Sequence, residues 1–183
     1  EEDAAYVAVR ERKHALNNPY AHLHMNLTIE DVMKSPYLSW PVKMGDMCPR
    51  TDGACALVFA SEDVVEYFPN KPAWILAVAD RHLWAYTSDP YVNQALENGW
   101  WFPALEWAAR EVYDKVGVRD PLKEIDVAEL YLPYSFAGLR YMESLGFCPR
   151  GGGPGLVRSG ATDMGGECPV NPSGGVMSSN AIG

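Results

Sequence analysis

The chain has 183 residues, 48% hydrophobic and 21% charged, with a formal net charge of -9. That balance describes a globular protein with material for one core, and the acidic excess argues against nucleic acid as the main partner, since phosphate binding needs a basic footprint. No apolar run nears the roughly 20 residues that span a bilayer, and the acidic start Glu1-Glu2-Asp3 offers no basic leader region, so neither membrane nor export is expected.

Ala4 to Leu16 reads as the end of a helix, stopped by Asn17-Asn18-Pro19-Tyr20 because the residue before proline is pushed out of the helical region. Its basic cluster, Arg10, Arg12, Lys13 and His14, reads as a solvated helix face. Thr28-Ile29-Glu30-Asp31 announces a second helix, with threonine as N-cap and acids in the first turn, ending by Ser35-Pro36. Pro36 to Arg50 holds three prolines and reads as loop. Gly53 to Ala60 is a continuous apolar run and Ala73 to Ala79 another, both fitting strands buried on two faces, with a short helix from Ser61 to Phe68 between them. Asp89 to Val116 reads as a long helical stretch, interrupted near Pro103 and closed by Gly117. Ile125 to Leu132 follows as a third strand. Phe136 to Leu145 is a helix closed by Gly146, Pro149 to Pro172 mostly Gly-rich loop, and Val176-Met177-Ser178 a short strand. Strands alternating with helices predict an α/β layered architecture.

Cys48, Cys55, Cys148 and Cys168 form no Cys-x-x-Cys pair, which speaks against zinc and against a compact disulfide frame. Three of them precede proline, and the set reads as buried or loop thiols of a reducing cytoplasm. His14, His22, His24 and His82 lack the carboxylate or third ligand that a metal needs, so no metal is expected and a loop or interface role is favoured. Trp84, Trp100, Trp101 and Trp107 fall in one segment with Tyr86, Tyr91 and Phe102. Such a cluster suits an apolar wall for a substrate ring, or equally a packed or subunit interface.

Five motifs in chain order resemble the thiolase superfamily, and in particular its sterol-carrier-protein and divergent types. They are Lys13-His14-Ala15-Leu16-Asn17-Asn18-Pro19-Tyr20-Ala21; Cys48-Pro49-Arg50-Thr51-Asp52-Gly53-Ala54; Ala60-Ser61-Glu62; Leu145-Gly146-Phe147-Cys148-Pro149-Arg150-Gly151 with Gly165-Gly166; and Asn171-Pro172-Ser173-Gly174-Gly175. The resemblance implies a partial thiolase-like α/β/α fold, namely the end of the N-terminal half and the start of the C-terminal half. Residues 1–50 look like the loop domain, 51–70 like the last strand and helix of the N-terminal half, and 72–183 like the start of the C-terminal half.

The family's chemistry implies cleavage of a 3-oxoacyl-CoA by coenzyme A to two acyl-CoA products, with a bulky or aromatic acyl group expected. A retro-aldolase on a 3-hydroxyacyl-CoA and a non-catalytic acyl-CoA-binding scaffold are the alternatives. Claisen cleavage needs a thiolate, a proton shuttle, and donors where oxyanions develop. By the resemblance the nucleophilic cysteine lies upstream of this segment and the second cysteine downstream, so none of the four cysteines here is assigned either role. The family's oxyanion-donor motif corresponds to Pro133-Tyr134-Ser135-Phe136. Proline supplies neither a side-chain donor nor an N–H, which leaves Tyr134 or Ser135 to provide a hydroxyl. Asn180 falls where the family places a histidine, and asparagine can donate a hydrogen bond but cannot take a proton near neutral pH. Asn180, Tyr134 and Ser135 are therefore the expected catalytic residues. Cys48, Pro133, Phe136, Ser173, Gly174 and Gly175 are expected to line the thioester and coenzyme A. Coenzyme A enters as substrate, with no other cofactor. The resemblance also implies a homodimer of such subunits, and a small partner carrying an OB-fold and a zinc ribbon.

Overall fold

The computed structural model describes residues 1–82 and 102–179. Its organising element is helix α1 (Glu2–Ala15). Four alanines favour the helix, and Glu2 and Asp3 in the first turn with Arg12, Lys13 and His14 in the last complement its dipole. Ala4, Ala5, Val7, Ala8, Arg10, Glu11, Arg12, His14 and Ala15 are all buried, so most of its circumference faces protein. Around it pack α2 (Ile29–Lys34), α5 (Ser135–Ser144), α6 (Gly153–Ser159) and α7 (Gly175–Ser178), while α3 (Pro103–Val116) lies against α5 and α4 is the single turn Pro121–Glu124. The core joins Ala5, Val7 and Ala8 of α1 to Leu132, Met142, Phe147 and Met177.

Local signals placed most helix ends. Thr28 caps α2, accepting from Asp31 N at 3.1 Å while its own N–H donates to Asp31 Oδ2 at 2.8 Å. Ser35, before Pro36, is extended and ends it. Gly117 closes α3 with φ of 82°, and Gly146 follows α5 with φ of 76°. The part of the long helical stretch from Asp89 to Trp101 lies outside the described residues.

The expected strands differ. Residues 53–60 and 73–79 form no ladder among the described residues, and Leu57, Val58, Phe59, Trp74, Ile75, Leu76 and Val78 are exposed. An apolar run suited to a doubly covered strand becomes one only beside a hydrogen-bonded neighbour, and no described segment pairs with these. The 125–132 segment is extended but holds a single parallel bridge, Ala128 to Val170, with Ala128 N donating to Pro169 O at 3.0 Å and Asn171 N to Ala128 O at 2.7 Å.

Four further expectations are corrected. The supposed loop 36–50 contains the antiparallel pair β1 (Tyr37–Ser39) and β2 (Val42–Lys43), turning at a cis Trp40–Pro41 bond, then a 3-10 turn at Met44–Asp46. Within the Gly-rich stretch, α6 forms because Pro154 suits a helix start, Leu156 and Val157 are buried, and Gly160 caps it at φ of 77°. The 176–178 segment is a helical turn, α7, because Gly174 at φ of 87° rotates the chain into it. The short helix expected at 61–68 is a 3-10 helix, Glu62–Tyr67.

Candidate functional site

Of the basic cluster of α1 only Lys13 is solvated. Arg10, Arg12 and His14 are 4%, 3% and 1% exposed, and Glu11 is fully buried. Charges reach the interior only where partners satisfy them, and here those partners sit on distant loops. Arg10 donates to Glu11 Oε1 at 2.8 Å and to Thr162 Oγ1 at 2.6 Å. Glu11 Oε2 accepts from Asn171 Nδ2 at 2.7 Å. Burial, the largest influence, pushes the Glu11 carboxyl up to about 7, opposed by Arg10 and by the Asn171 amide. His14 Nδ1 lies 3.1 Å from Val170 O and 3.0 Å from Asn171 O. Both neighbours are acceptors, so Nδ1 carries the proton, and burial lowers the tendency of the ring to take a second one.

Arg12 occupies a different position. Its Nη2 donates to Met47 O at 3.0 Å, and its Nη1 donates to Met177 O and lies 3.3 Å from Ser178 Oγ. One guanidinium thus ties the 46–48 loop to α7. Burial lowers its pKa, and the neighbouring Glu11 holds it up.

The expected site residues fall into two groups. In the first, the 46–48 loop runs antiparallel to 133–135: Cys48 N donates to Pro133 O at 3.0 Å, and Met47 bridges Tyr134. Ser135 is buried and donates to Asp46 Oδ1 at 2.5 Å. Tyr134 Oη bonds to no described residue, and with Phe136 it lines a cleft of about 610 Å3 between the β1–β2 hairpin and α5. In the second group, Ser173 N and Oγ both donate to Glu129, at 3.0 and 2.9 Å, and Asn18 Nδ2 donates to Ser173 O at 2.9 Å. Asn171 stands at φ of 50°, a left-handed conformation asparagine tolerates. Its Oδ1 accepts from Leu130 N at 2.5 Å. A Cβ on Gly174 would come within 2.5 Å of Ala15 Cβ, and one on Gly175 within 2.6 Å of Asn171 Nδ2. The double glycine therefore lets the turn press onto α1. Asn180 lies outside the described residues, as do Trp84, Trp100 and Trp101.

Sequence reasoning missed the residues that join the groups, Arg12, Glu11, Asp46 and Glu129. For Glu11 and Arg12 the only signal was the charge density in α1, which looks the same whether water or loop carbonyls receive it. The thiols are free, with Cys168 buried and Cys55 exposed. Burial pushes Cys148 up to about 11 and also raises Cys168, so both hold their protons near neutral pH. His22 contacts Thr51, and His24 Nε2 lies 2.8 Å from Asn18 O. No metal-ligating cluster occurs among the described residues, and no described helix is long and apolar enough to cross a membrane.

The family model described as thiolase C-terminal domain-like matches residues 91–183. The chain is 34% identical over 179 residues to the benzoylsuccinyl-CoA thiolase subunit BbsB of Thauera aromatica, covering 97% of this chain and 44% of that protein. It is 33% identical over 177 residues to sterol carrier protein 2 of Bos taurus, covering 97% and 32%. Among solved structures, the Ltp2-ChsH2(DUF35) aldolase superposes with a TM-score of 0.84 at 29% identity, over 99% of this chain and 47% of that one. The chain thus spans less than half the length of these relatives. The expected fold class, thiolase-like α/β, is the one found.

Proposed function

The chain belongs to the thiolase C-terminal domain-like family, and from that premise we propose that it supplies the carbonyl-facing part of a thiolase-fold enzyme cleaving a carbon–carbon bond beside an acyl-CoA thioester. The observation that carries this reading is Arg12. It links the 46–48 loop, itself paired to Pro133 and Tyr134, to the turn of α7, so the two loops expected to face the thioester are held as one body. A fixed hydrogen-bond donor at a developing oxyanion is worth more than a mobile one, because no reorganisation is needed at the moment of reaction.

Within this reading the hydroxyl donor is Tyr134 rather than Ser135, whose proton already goes to Asp46. Asn180 is the second donor, and Cys48, Pro133, Phe136, Ser173, Gly174 and Gly175 border the thioester. In thiolysis a cysteine thiolate, expected outside this segment, adds to the 3-oxo carbonyl carbon; the C2–C3 bond breaks, leaving that acyl group on the cysteine, and the departing thioester enolate takes up a proton as one acyl-CoA. The thiol of coenzyme A then attacks the acyl-cysteine, giving its proton to a base and expelling the cysteine thiolate as the second acyl-CoA forms. Homodimerisation, and a small partner subunit with an OB-fold and zinc ribbon, belong to the same proposal. The two-component name of the similar aldolase supports the partner.

A second reading has its own support. Pro133 offers no donor where a thiolase places one, Tyr134 has an unengaged hydroxyl among the described residues, and the structural likeness is to an aldolase. In retro-aldol cleavage a base removes the proton of a 3-hydroxyl, the C2–C3 bond breaks to a carbonyl product, and the thioester enolate is protonated to an acyl-CoA. Incubation of the purified protein with a 3-oxoacyl-CoA plus coenzyme A, and separately with a 3-hydroxyacyl-CoA alone, distinguishes the two by chromatography of the thioesters. Two acyl-CoA products appearing only with added coenzyme A support thiolysis. One acyl-CoA and a free carbonyl compound without it support the aldolase. Acyl-CoA binding without turnover assigns a scaffold role and overturns both.

A further inference from the structure

Segment 128–130 holds the Asn171–Gly175 turn at three consecutive residues. Ala128 O accepts from Asn171 N at 2.7 Å, and Leu130 N donates to Asn171 Oδ1 at 2.5 Å. Between them Glu129 receives Ser173 on both carboxylate oxygens, N on Oε1 at 3.0 Å and Oγ on Oε2 at 2.9 Å. Asn18 Nδ2 takes the remaining polar atom, Ser173 O, at 2.9 Å. The Ser173 hydroxyl also accepts from Gly175 N at 3.1 Å, so the grip of Glu129 passes through one oxygen to the second glycine. Gly174 N meanwhile donates to Asn171 O at 2.9 Å. The N–H groups of Ser173, Gly174 and Gly175 are thus all spent on holding the turn, and what the turn offers a ligand is its shape.

That shape needs an outside hold. Gly174 and Gly175 stand at φ of 87° and 54°, and glycine is the residue whose backbone is least confined on its own. Hydrogen bonds to a charged acceptor are roughly twice as strong as neutral ones, and a carboxylate that receives the N–H and the O–H of one residue fixes it in two directions. Glu129 is exposed, so unlike Glu11 it is no part of the core, and removing its side chain leaves the packing around α1 in place. We propose that Glu129 is the positioning residue of the double-glycine turn: acting through the Ser173 hydroxyl, it fixes where Gly174 and Gly175 meet the acyl-CoA thioester. The assignment rests on the acyl-CoA reading given above. Ser173 is the relay, and Glu129 itself touches no substrate.

Hydrogen–deuterium exchange and calorimetric titration with acetyl-CoA test the assignment, on the purified protein and on Glu129→Ala, Glu129→Gln, Ser173→Ala and the double alanine variant. Glu129→Ala is expected to quicken amide exchange in residues 173–178 about tenfold and to weaken acetyl-CoA at least fivefold. The urea midpoint and the exchange of α1 and α3 are expected to stay unchanged. Glu129→Gln, which can still accept from Ser173 N and donate to its hydroxyl, is expected to recover most of both losses. Ser173→Ala is expected to reproduce them, with the double variant no worse than either single one, as for two residues acting through one bond. The positioning role is overturned, and the acyl-CoA reading left standing, by any of four results. They are a Glu129→Ala protein that unfolds, one whose turn exchange or acetyl-CoA affinity matches the wild type, no recovery in Glu129→Gln, and losses that add in the double variant. A folded wild-type protein that binds no acetyl-CoA overturns both.

Discussion

Glu11 shows how one residue couples stability to the geometry of the turn. It is fully buried, receives Arg10 on one oxygen and the Asn171 amide on the other, and burial raises it to about 7 from an ordinary 4.5. The folded state therefore keeps a proton that the unfolded chain releases between these values. The stabilisation from this group is complete below pH 4.5 and is lost as pH rises through about 7. At about 1.4 kcal/mol per pH unit the loss is about 3 kcal/mol. His14 works in the opposite sense. Burial depresses its pKa below 6.5, so its stabilisation is present above that value and is lost as pH falls towards the lowered one. Urea denaturation between pH 5 and 8 should show a protein that weakens towards the alkaline end. In Glu11→Gln that weakening should vanish and leave only the acid-side loss, and an unchanged alkaline slope in the variant would refute the assignment. Neither burial nor partner was legible from the sequence, where Arg10-Glu11-Arg12-Lys13-His14 carries the pattern of an exposed face. What decides the matter is the arrival of residues 128–178, more than 100 positions away, with carbonyls and an amide to bond.

At the scale of elements, helix contacts turn on single glycines with opposite expectations. Gly138 in α5 lies where a Cβ would stand 2.7 Å from Val7 Cγ1 and 3.3 Å from Leu132 Cδ1. Adding a methyl there must push α5 from α1, and overpacking of this kind costs about 1–3 kcal/mol, more than the gain of about 1 kcal/mol from alanine's helix propensity. Gly155 in α6 meets nothing within 4 Å, so Gly155→Ala should stabilise by about 0.5–1 kcal/mol. Chemical denaturation of the two single variants should give shifts of opposite sign, and the same sign for both would refute the packing account. The contrast explains which elements the sequence revealed. Capping is local, so Thr28, Ser35-Pro36, Gly117 and Gly146 marked their boundaries correctly. The helix α6 was hidden because Gly153 and Gly155 argue against it on propensity, while buried Leu156 and Val157 hold it in place. Strands were the least legible, because a strand is completed by a neighbour and an apolar run cannot state which neighbour it has. Of the candidate site, the motif pattern named both loops as expected site segments, while the side chains binding them together came only from the three-dimensional arrangement.

The whole molecule combines a net charge of -9 with two apolar strips, 57–59 and 74–78, that face solvent. These two features oppose each other in solution. Like charge keeps copies apart over the Debye length, about 10 Å at 0.1 M salt and about 3 Å at 1 M, whereas contiguous apolar surface drives association once copies touch. Burying one such side chain is worth about 1.5–3 kcal/mol, so covering several outweighs a repulsion that salt has screened. Sedimentation of the purified chain should therefore show self-association that grows with protein concentration and with sodium chloride, the reverse of what an ion-paired interface would do. Val58→Lys combined with Ile75→Lys should keep the chain monomeric at 1 M salt and reduce its binding of an apolar fluorescent dye. Both residues lie outside the core and outside both site loops, so near-native circular dichroism is expected for the variant. Association that weakens with salt, or persists unchanged in the double variant, would show that the strips are not the surfaces through which copies meet.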